Sequence, residues 1–278
     1  MRIDAHQHFW RIAQRAGHWP PASLAAIHRD FVPADLRPEL QRCSIVGTVL
    51  VQSLPTAEDT TFLLNLAARH EFVLGVVGWI DLKAGDAAAQ VTARASQRKL
   101  KGLRPMLQDL PDDAWIDDRA LDPAVLAMLA HGLCFDALVQ PRHLGALLAF
   151  ARRHPALPIV IDHAAKPDIA RAEWQPWHCH MTALAALPNV HCKLSGLLTE
   201  AGDRNDDAAL RPWIDHLFAS FGAPRLMWGS DWPVLNLAGN YEAWFSMAQR
   251  LCSAQPDVDA DALDAIFGGN ARRFYRLD

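Results

Sequence analysis

No Cys-x-x-Cys pair occurs in the sequence, and its five cysteines (Cys43, Cys134, Cys179, Cys192 and Cys252) are widely spaced and odd in number. Neither a disulfide framework nor a cysteine-built zinc site is indicated, so reduced, mostly buried thiols are the expectation. Basic charge is scarce too: 27 Lys and Arg against 31 Asp and Glu leave a net charge of −4. A nucleic-acid partner or a polybasic membrane contact would need clustered cations, and neither is expected. Long apolar runs are missing, because polar groups interrupt each one well short of a membrane span. The first residues lack a charged stretch followed by an apolar one, so no signal peptide is expected. Low-complexity blocks and short-period repeats are missing as well. What remains is a soluble, cytoplasmic protein of 278 residues, 51% hydrophobic and 21% charged, with ample material for a packed core. Nothing in the composition bears against assembly into a homo-oligomer.

What is present is an alternation. Short β-branched apolar runs stand at Met1–Ala5, Ser44–Gln52, Phe72–Ile80, Lys101–Arg104, Cys134–Val139, Leu157–Asp162, Asn189–Ser195 and Arg225–Gly229. Several are apolar throughout, as strands buried on both faces are. Between them, helical spacing runs over Ala57–His70, Ala87–Lys99, Asp122–His131, Leu144–His154, Trp174–Leu187, Leu210–Phe221 and Tyr241–Cys252. Asp122-Pro123 reads as an N-cap followed by proline at the first helical position. Strand–helix alternation predicts a parallel sheet with right-handed crossovers. Eight repeats in a chain near the usual length predict an α/β fold, a single-domain, distorted (β/α)8 TIM barrel. An open nucleotide-binding sheet would want a Gly-rich turn after its first strand, where Asp4-Ala5-His6-Gln7-His8 offers none. Two segments stand apart: Trp10–Arg37 reads as a long loop over one barrel mouth, and Leu110–Leu121, with its four aspartates, as a solvated surface loop.

Active sites of such barrels form at the C-terminal ends of the strands, so polar residues where apolar runs stop are the candidates. The first run ends in His6-Gln7-His8, and residues two apart on a strand share a face. Two imidazoles presented this way suit zinc or can polarise a carbonyl. His163 ends Leu157–Asp162. Asp231 follows Leu226-Met227-Trp228-Gly229-Ser230, where an unpaired carboxylate would need a metal, a cation or a catalytic proton. Arg104 ends the fourth run and is suited to hold a substrate oxygen. Lys193 lies within the seventh, on one face with His191 and Ser195, as either a substrate contact or a structural salt bridge. His178-Cys179-His180 has the same His-x-His spacing, but within a helix, and reads as packing.

Together, Asp4-Ala5-His6-Gln7-His8-Phe9-Trp10, Gly102-Leu103-Arg104-Pro105, Asp162-His163-Ala164-Ala165-Lys166-Pro167, Lys193-Leu194-Ser195-Gly196-Leu197 and Gly229-Ser230-Asp231-Trp232-Pro233 resemble the amidohydrolase superfamily. More narrowly, they resemble its lactonase branch, over residues 2 to about 236 in the expected order. The resemblance implies one amidohydrolase-type barrel over residues 1–278, with His6, His8, His163 and Asp231 as ligands of a divalent metal such as zinc. The fuller two-metal pattern is not met: the fifth strand supplies no histidine, and Arg104 stands where a lysine would. One metal, not required for activity, is the expectation. The stretch Leu197–Ala201 is similar to members acting on deoxy-sugar aldonolactones such as L-fuconolactone or L-rhamnonolactone, which makes a sugar lactone the expected small-molecule partner.

The expected reaction is lactone hydrolysis by direct water attack. Asp231 is the general base, the imidazoles with or without zinc polarise the carbonyl, and Arg104 orients ring oxygens. The rivals are a zinc-dependent decarboxylase of an aromatic or muconate-type acid and a non-catalytic barrel that binds a sugar acid. Strict sensitivity to chelators would favour the decarboxylase.

Overall fold

In a computed structural model covering residues 1–15 and 17–278, every one of the eight apolar runs is a strand. These are β1 (Arg2–Gln7), β2 (Ile45–Val51), β3 (Val73–Gly78), β4 (Leu100–Leu103), β5 (Cys134–Ala137), β6 (Ile159–Ile161), β7 (Val190–Leu194) and β8 (Leu226–Trp228). They pair in parallel in chain order. Past the end of β8, a bridge between Gln7 and Trp232 brings the last strand back to the first. There Asp231 N donates to His6 O at 2.8 Å and His8 N to Trp232 O at 2.7 Å. The result is a (β/α)8 barrel, and its closure threads directly through three of the candidate site residues.

The helices are α1 (Pro33–Arg42), α2 (Ala57–Arg69), α3 (Ala87–Ala95), α4 (Asp122–Ala130), α5 (Leu144–Arg153), α6 (Trp177–Ala185), α7 (Asp207–Phe221) and α8 (Tyr241–Ser253), followed by the short α9 (Ala260–Asp264) and α10 (Asn270–Tyr275). Helix α2 shows why they form. Thr56 caps it by accepting from Asp59 N at 3.1 Å, and Leu63, Leu66 and Ala67 put an apolar stripe on the sheet. None of these helices is long and apolar enough to cross a membrane.

Three sequence expectations need correction. Trp10–Arg37 is not loop throughout, because Pro33 opens α1, where Asp35 accepts from Val32 N at 2.8 Å. Two prolines, Pro33 and Pro38, hide that helix from a pattern search, although the first sits where the missing N–H costs nothing. Asp122 is inside α4 rather than its cap. The 3₁₀ turn Arg119–Leu121 runs straight into the helix, and Asp118 caps that turn instead. Three of the four aspartates of Leu110–Leu121 are ion-paired rather than merely solvated: Asp113 meets Arg142 at 2.6 Å, Asp118 meets Lys83 at 2.8 Å, and Asp117 meets Arg153.

The barrel interior has an apolar floor. Ile3, Ala5, Val49, Val51, Val77, Cys134, Val160 and Met227 pack there against Phe274, Tyr275 and Leu277 of the chain's last turn. A widened helical turn, Ala265–Gly269, brings that segment under β1, and a Cβ at Gly268 would lie 2.0 Å from Met1 O. Pattern reading offers nothing for this plug, which is too short and irregular to show periodicity.

Candidate active site

One extra residue in β1 decides which side chains enter the mouth. Asp4 is opposite Thr48 and Gln7 opposite Leu50, so three steps of β1 match two of β2. Such a bulge reverses the alternation. Ile3 and Ala5 face the floor below it, while His6 and His8 face the mouth above it. Asp4 shares their parity in the sequence but lies on the outer side. It accepts from Ser230 Oγ at 2.6 Å and Tyr241 Oη at 2.9 Å, tying β1 to β8 and α8.

At the mouth, His6 Nε2 and His8 Nε2 are 3.2 Å apart, and Asp231 Oδ1 is 3.2 Å from His8 Nε2, 3.7 Å from His6 Nε2 and 3.8 Å from His163 Nε2. All four residues are buried. Burial alone would raise the Asp231 carboxyl, but His163, His8 and His6 outweigh it and hold it well below the usual carboxylate range. Burial drives the imidazoles the other way: His163 falls to about 4 and His6 well below its ordinary value. The centre therefore sets an ionised carboxylate beside two rings, His6 and His163, that burial keeps from protonating at neutral pH.

Each ring's other nitrogen selects what it offers the cavity. His8 Nδ1 is 2.7 Å from Val51 O and must donate to it, which places one proton on Nδ1 and leaves Nε2 facing Asp231 Oδ1 at 3.2 Å. His163 Nδ1 meets Ser195 Oγ at 2.9 Å, and a hydroxyl can give or receive, so His163 Nε2 can be either donor or ligand. His6 Nδ1 has the Lys193 ammonium at 3.2 Å and Asp162 Oδ1 at 3.4 Å, which support opposite tautomers.

His163 reaches this position on a left-handed turn. Residues 163 to 166 have φ of 53°, 49°, 62° and 51°, a conformation that costs roughly 1–2 kcal/mol per residue. Trp177 Nε1 pins the turn by donating to Ala164 O at 2.6 Å. Gly196 makes room for the ring, since a Cβ there would stand 2.6 Å from His163 Nδ1.

Below the rings lies a buried ionic layer. Lys193 is fully buried, 2.6 Å from Asp136 Oδ2 and 2.9 Å from Asp162 Oδ1. Arg104 Nη1 donates to Asp162 Oδ2 at 3.0 Å, and its Nη2 donates to Gln52 O. Arg104 lines the cavity, whereas Lys193 does not, and lies beneath His6 instead. Asp136 and Asp162 were not singled out in the sequence, although each ends or interrupts an apolar strand, the same signal that marked His163. His178 and His180 lie on α6, away from the mouth, and His178 stacks on His216 at 3.9 Å.

The cavity above the centre holds about 480 Å³ and is reached between Trp19 and His18 of the long loop, Met106, Leu138 and Leu237. The donor set suits a divalent ion: ligand atoms of His6, His163 and Asp231 lie within 4.8 Å of one another. Donors around a tetrahedral zinc, with bonds of about 2.0–2.2 Å, stand roughly 3.3–3.6 Å apart, close to the spacings here. Fold and site together define a (β/α)8 enzyme equipped for hydrolytic acid–base chemistry.

The family model described as Amidohydrolase matches residues 3–277, and the chain belongs to that family. It is 58% identical over 280 residues to the L-fucono-1,5-lactonase of Burkholderia ambifaria, covering 100% of this chain and 96% of that protein. Identity to the L-fucono-1,5-lactonase of Burkholderia multivorans is 38% over 288 residues, covering 100% and 96%. A solved amidohydrolase from Burkholderia multivorans with bound zinc shares the fold with a TM-score of 0.92 at 37% identity, over 100% of both chains.

Proposed function

We propose that this chain hydrolyses a sugar lactone to the sugar acid, with L-fucono-1,5-lactone the leading substrate. The observation that carries the reading is Asp231 set within 3.8 Å of His6, His8 and His163 at the floor of a cavity, in a chain similar over its whole length to L-fucono-1,5-lactonases.

Asp231 accepts a proton from water as the water oxygen attacks the lactone carbonyl. Negative charge then builds on the carbonyl oxygen, and Arg104, already fixed by Asp162 and Gln52, faces it with His163 Nε2–H. The ring C–O bond breaks, and Asp231 returns its proton to the leaving alkoxide. Lys193 acts through His6 and the ionic layer, as a positioning residue. His6, His163 and Asp231, with His8 beside them, would hold a divalent ion, which when bound supplies Lewis acidity. Lactones are activated esters, so these protein groups sustain hydrolysis without it. Four buried thiols without disulfides fit a cytoplasmic setting for the reaction.

The test is proton release from a panel of aldonolactones with chelator-treated protein. Stereoselective release is expected, falling at least about 10³-fold in Asp231→Asn with an unchanged urea midpoint. A fully active Asp231→Asn would overturn the base assignment. Silence on every lactone, even with zinc restored, would favour decarboxylation of an aromatic acid instead.

A further inference from the structure

The cavity contains a second pair of charged groups that water attack on the carbonyl does not use. Lys166 closes the left-handed turn carrying His163, and Glu200 ends the 3₁₀ turn Leu198–Glu200 that follows β7. Both line the cavity beside Asp231 and His163, and both also wall an adjoining cleft of about 590 Å³ that includes Arg142 and Asp168. Lys166 Nζ is 3.6 Å from Glu200 Oε1, with the side chains 23% and 28% exposed. That separation is too long for a hydrogen bond. Neither end group has another hydrogen-bonding partner among the described residues, so apart from their mutual ion pair the ammonium donors and carboxylate lone pairs are available to a ligand in the cavity they line. Thr199, which also lines the cavity, is occupied, donating from Oγ1 to Gly196 O at 2.8 Å.

A donor and an acceptor this close, ion-paired but not hydrogen-bonded to each other and open to the cavity, match two neighbouring hydroxyls, one accepting and one donating. The pair is also within electrostatic reach of the chemistry. Lys166 contributes to depressing His163, and Asp231 adds to the burial that pushes Glu200 up. A site built this way discriminates strongly against a ligand lacking the hydroxyls, because its own polar groups are then left unpaired.

We propose that Lys166 and Glu200 are the specificity clamp of the active site, Lys166 donating to and Glu200 accepting from adjacent ring hydroxyls of a polyhydroxylated lactone. The proposal rests on the sugar-lactonase reading. It makes the loops after β6 and β7, rather than the imidazole centre, the source of preference for a sugar ring over a plain one.

The test compares kcat and KM for L-fucono-1,5-lactone and for δ-valerolactone, a ring of the same size without hydroxyls. The whole protein is measured alongside Lys166→Met and Glu200→Gln. The ratio of the two kcat/KM values should fall about 100-fold in each variant, chiefly through KM for the sugar lactone. Equal losses on both lactones would make the pair a staple between loops and overturn the clamp, as would an unchanged ratio. Calorimetric binding of the corresponding lactams, which resist hydrolysis, separates the clamp from the reaction. Hydroxyl-dependent lactam binding that both variants lose would sustain the clamp even if no lactone were opened. Equal affinity for the two lactams would overturn it even if lactones were opened.

Discussion

Lys193 shows at the scale of one residue how burial turns charge into structure. Among the described residues its ammonium is the only group paired with both Asp136 and Asp162, and those two carboxylates are as fully buried as it is, with Arg104 nearly so. Burial opposes its charge, but the two carboxylates outweigh that and raise Lys193 above its ordinary value. Removing the ammonium would leave two acids facing each other without water. Lys193→Met should therefore cost about 3–5 kcal/mol of stability, read as a lower urea midpoint. A variant as stable as the parent would mean that the layer is wet or that one acid is already neutral.

At the scale of elements, the site depends on pieces that do not touch the cavity. The last turn of the chain seals the barrel floor and reaches the ionic layer from below: Tyr275 Oη donates to Asp136 Oδ2 at 2.6 Å, and Cys134 Sγ to Phe274 O at 3.3 Å. In Tyr275→Phe, Asp136 keeps only Lys193. The expected loss is about 1–3 kcal/mol, seen in urea unfolding. Because Tyr275 and Lys193 share Asp136, the double variant should lose a different amount from the sum of the two singles. An additive result would show that the plug and the ionic layer are uncoupled. The β1 bulge works in the same indirect way: it contributes no chemistry, yet it sets the face on which two imidazoles appear.

For the molecule as a whole, the buried rings dictate how stability responds to acid. Burial lowers His163 and His191 to about 4, and His6 falls too, while the same residues in the unfolded chain take up protons near 6.5. Between those values the unfolded state holds more protons, so stability is full above about 6.5 and is lost as pH falls toward 4. Asp4 runs the opposite way. Burial raises it to about 6, so the folded state holds a proton there that the unfolded chain releases down to about 3.8, and stability from this group grows as pH falls through that window. Asp136 and Glu200 are raised as well, but burial also lowers His70, His143, His154 and His216, and seven depressed imidazoles against three raised acids give a net decline. Urea midpoints should drop between pH 7 and 4.5, and more gently in His191→Gln, whose ring lies at the barrel floor against Phe274, away from the cavity. A slope unchanged by that substitution would place the acid sensitivity in other groups.

Much of the architecture was legible in the linear chain. Eight apolar strands separated by amphipathic helices leave a parallel barrel as the arrangement that buries both faces of each strand, and polar residues at strand ends are conspicuous because apolar sequence surrounds them. His6, His8, Arg104, His163 and Asp231 stood out for that reason, and the structure gathers them at one mouth. What pattern could not supply came from contacts between distant segments. Parity alone would have placed Asp4 with His6, and only the register against β2 separates them. Lys193 remained ambiguous until Asp136 and Asp162, 57 and 31 positions earlier in the sequence, were seen to enclose it. The proton held by His8 is assigned by Val51 on a neighbouring strand. Local sequence determines which face of an element is apolar and where it stops. Tautomer, ion pairing and depth in the barrel depend on which other strands stand alongside, and only the closed barrel decides that.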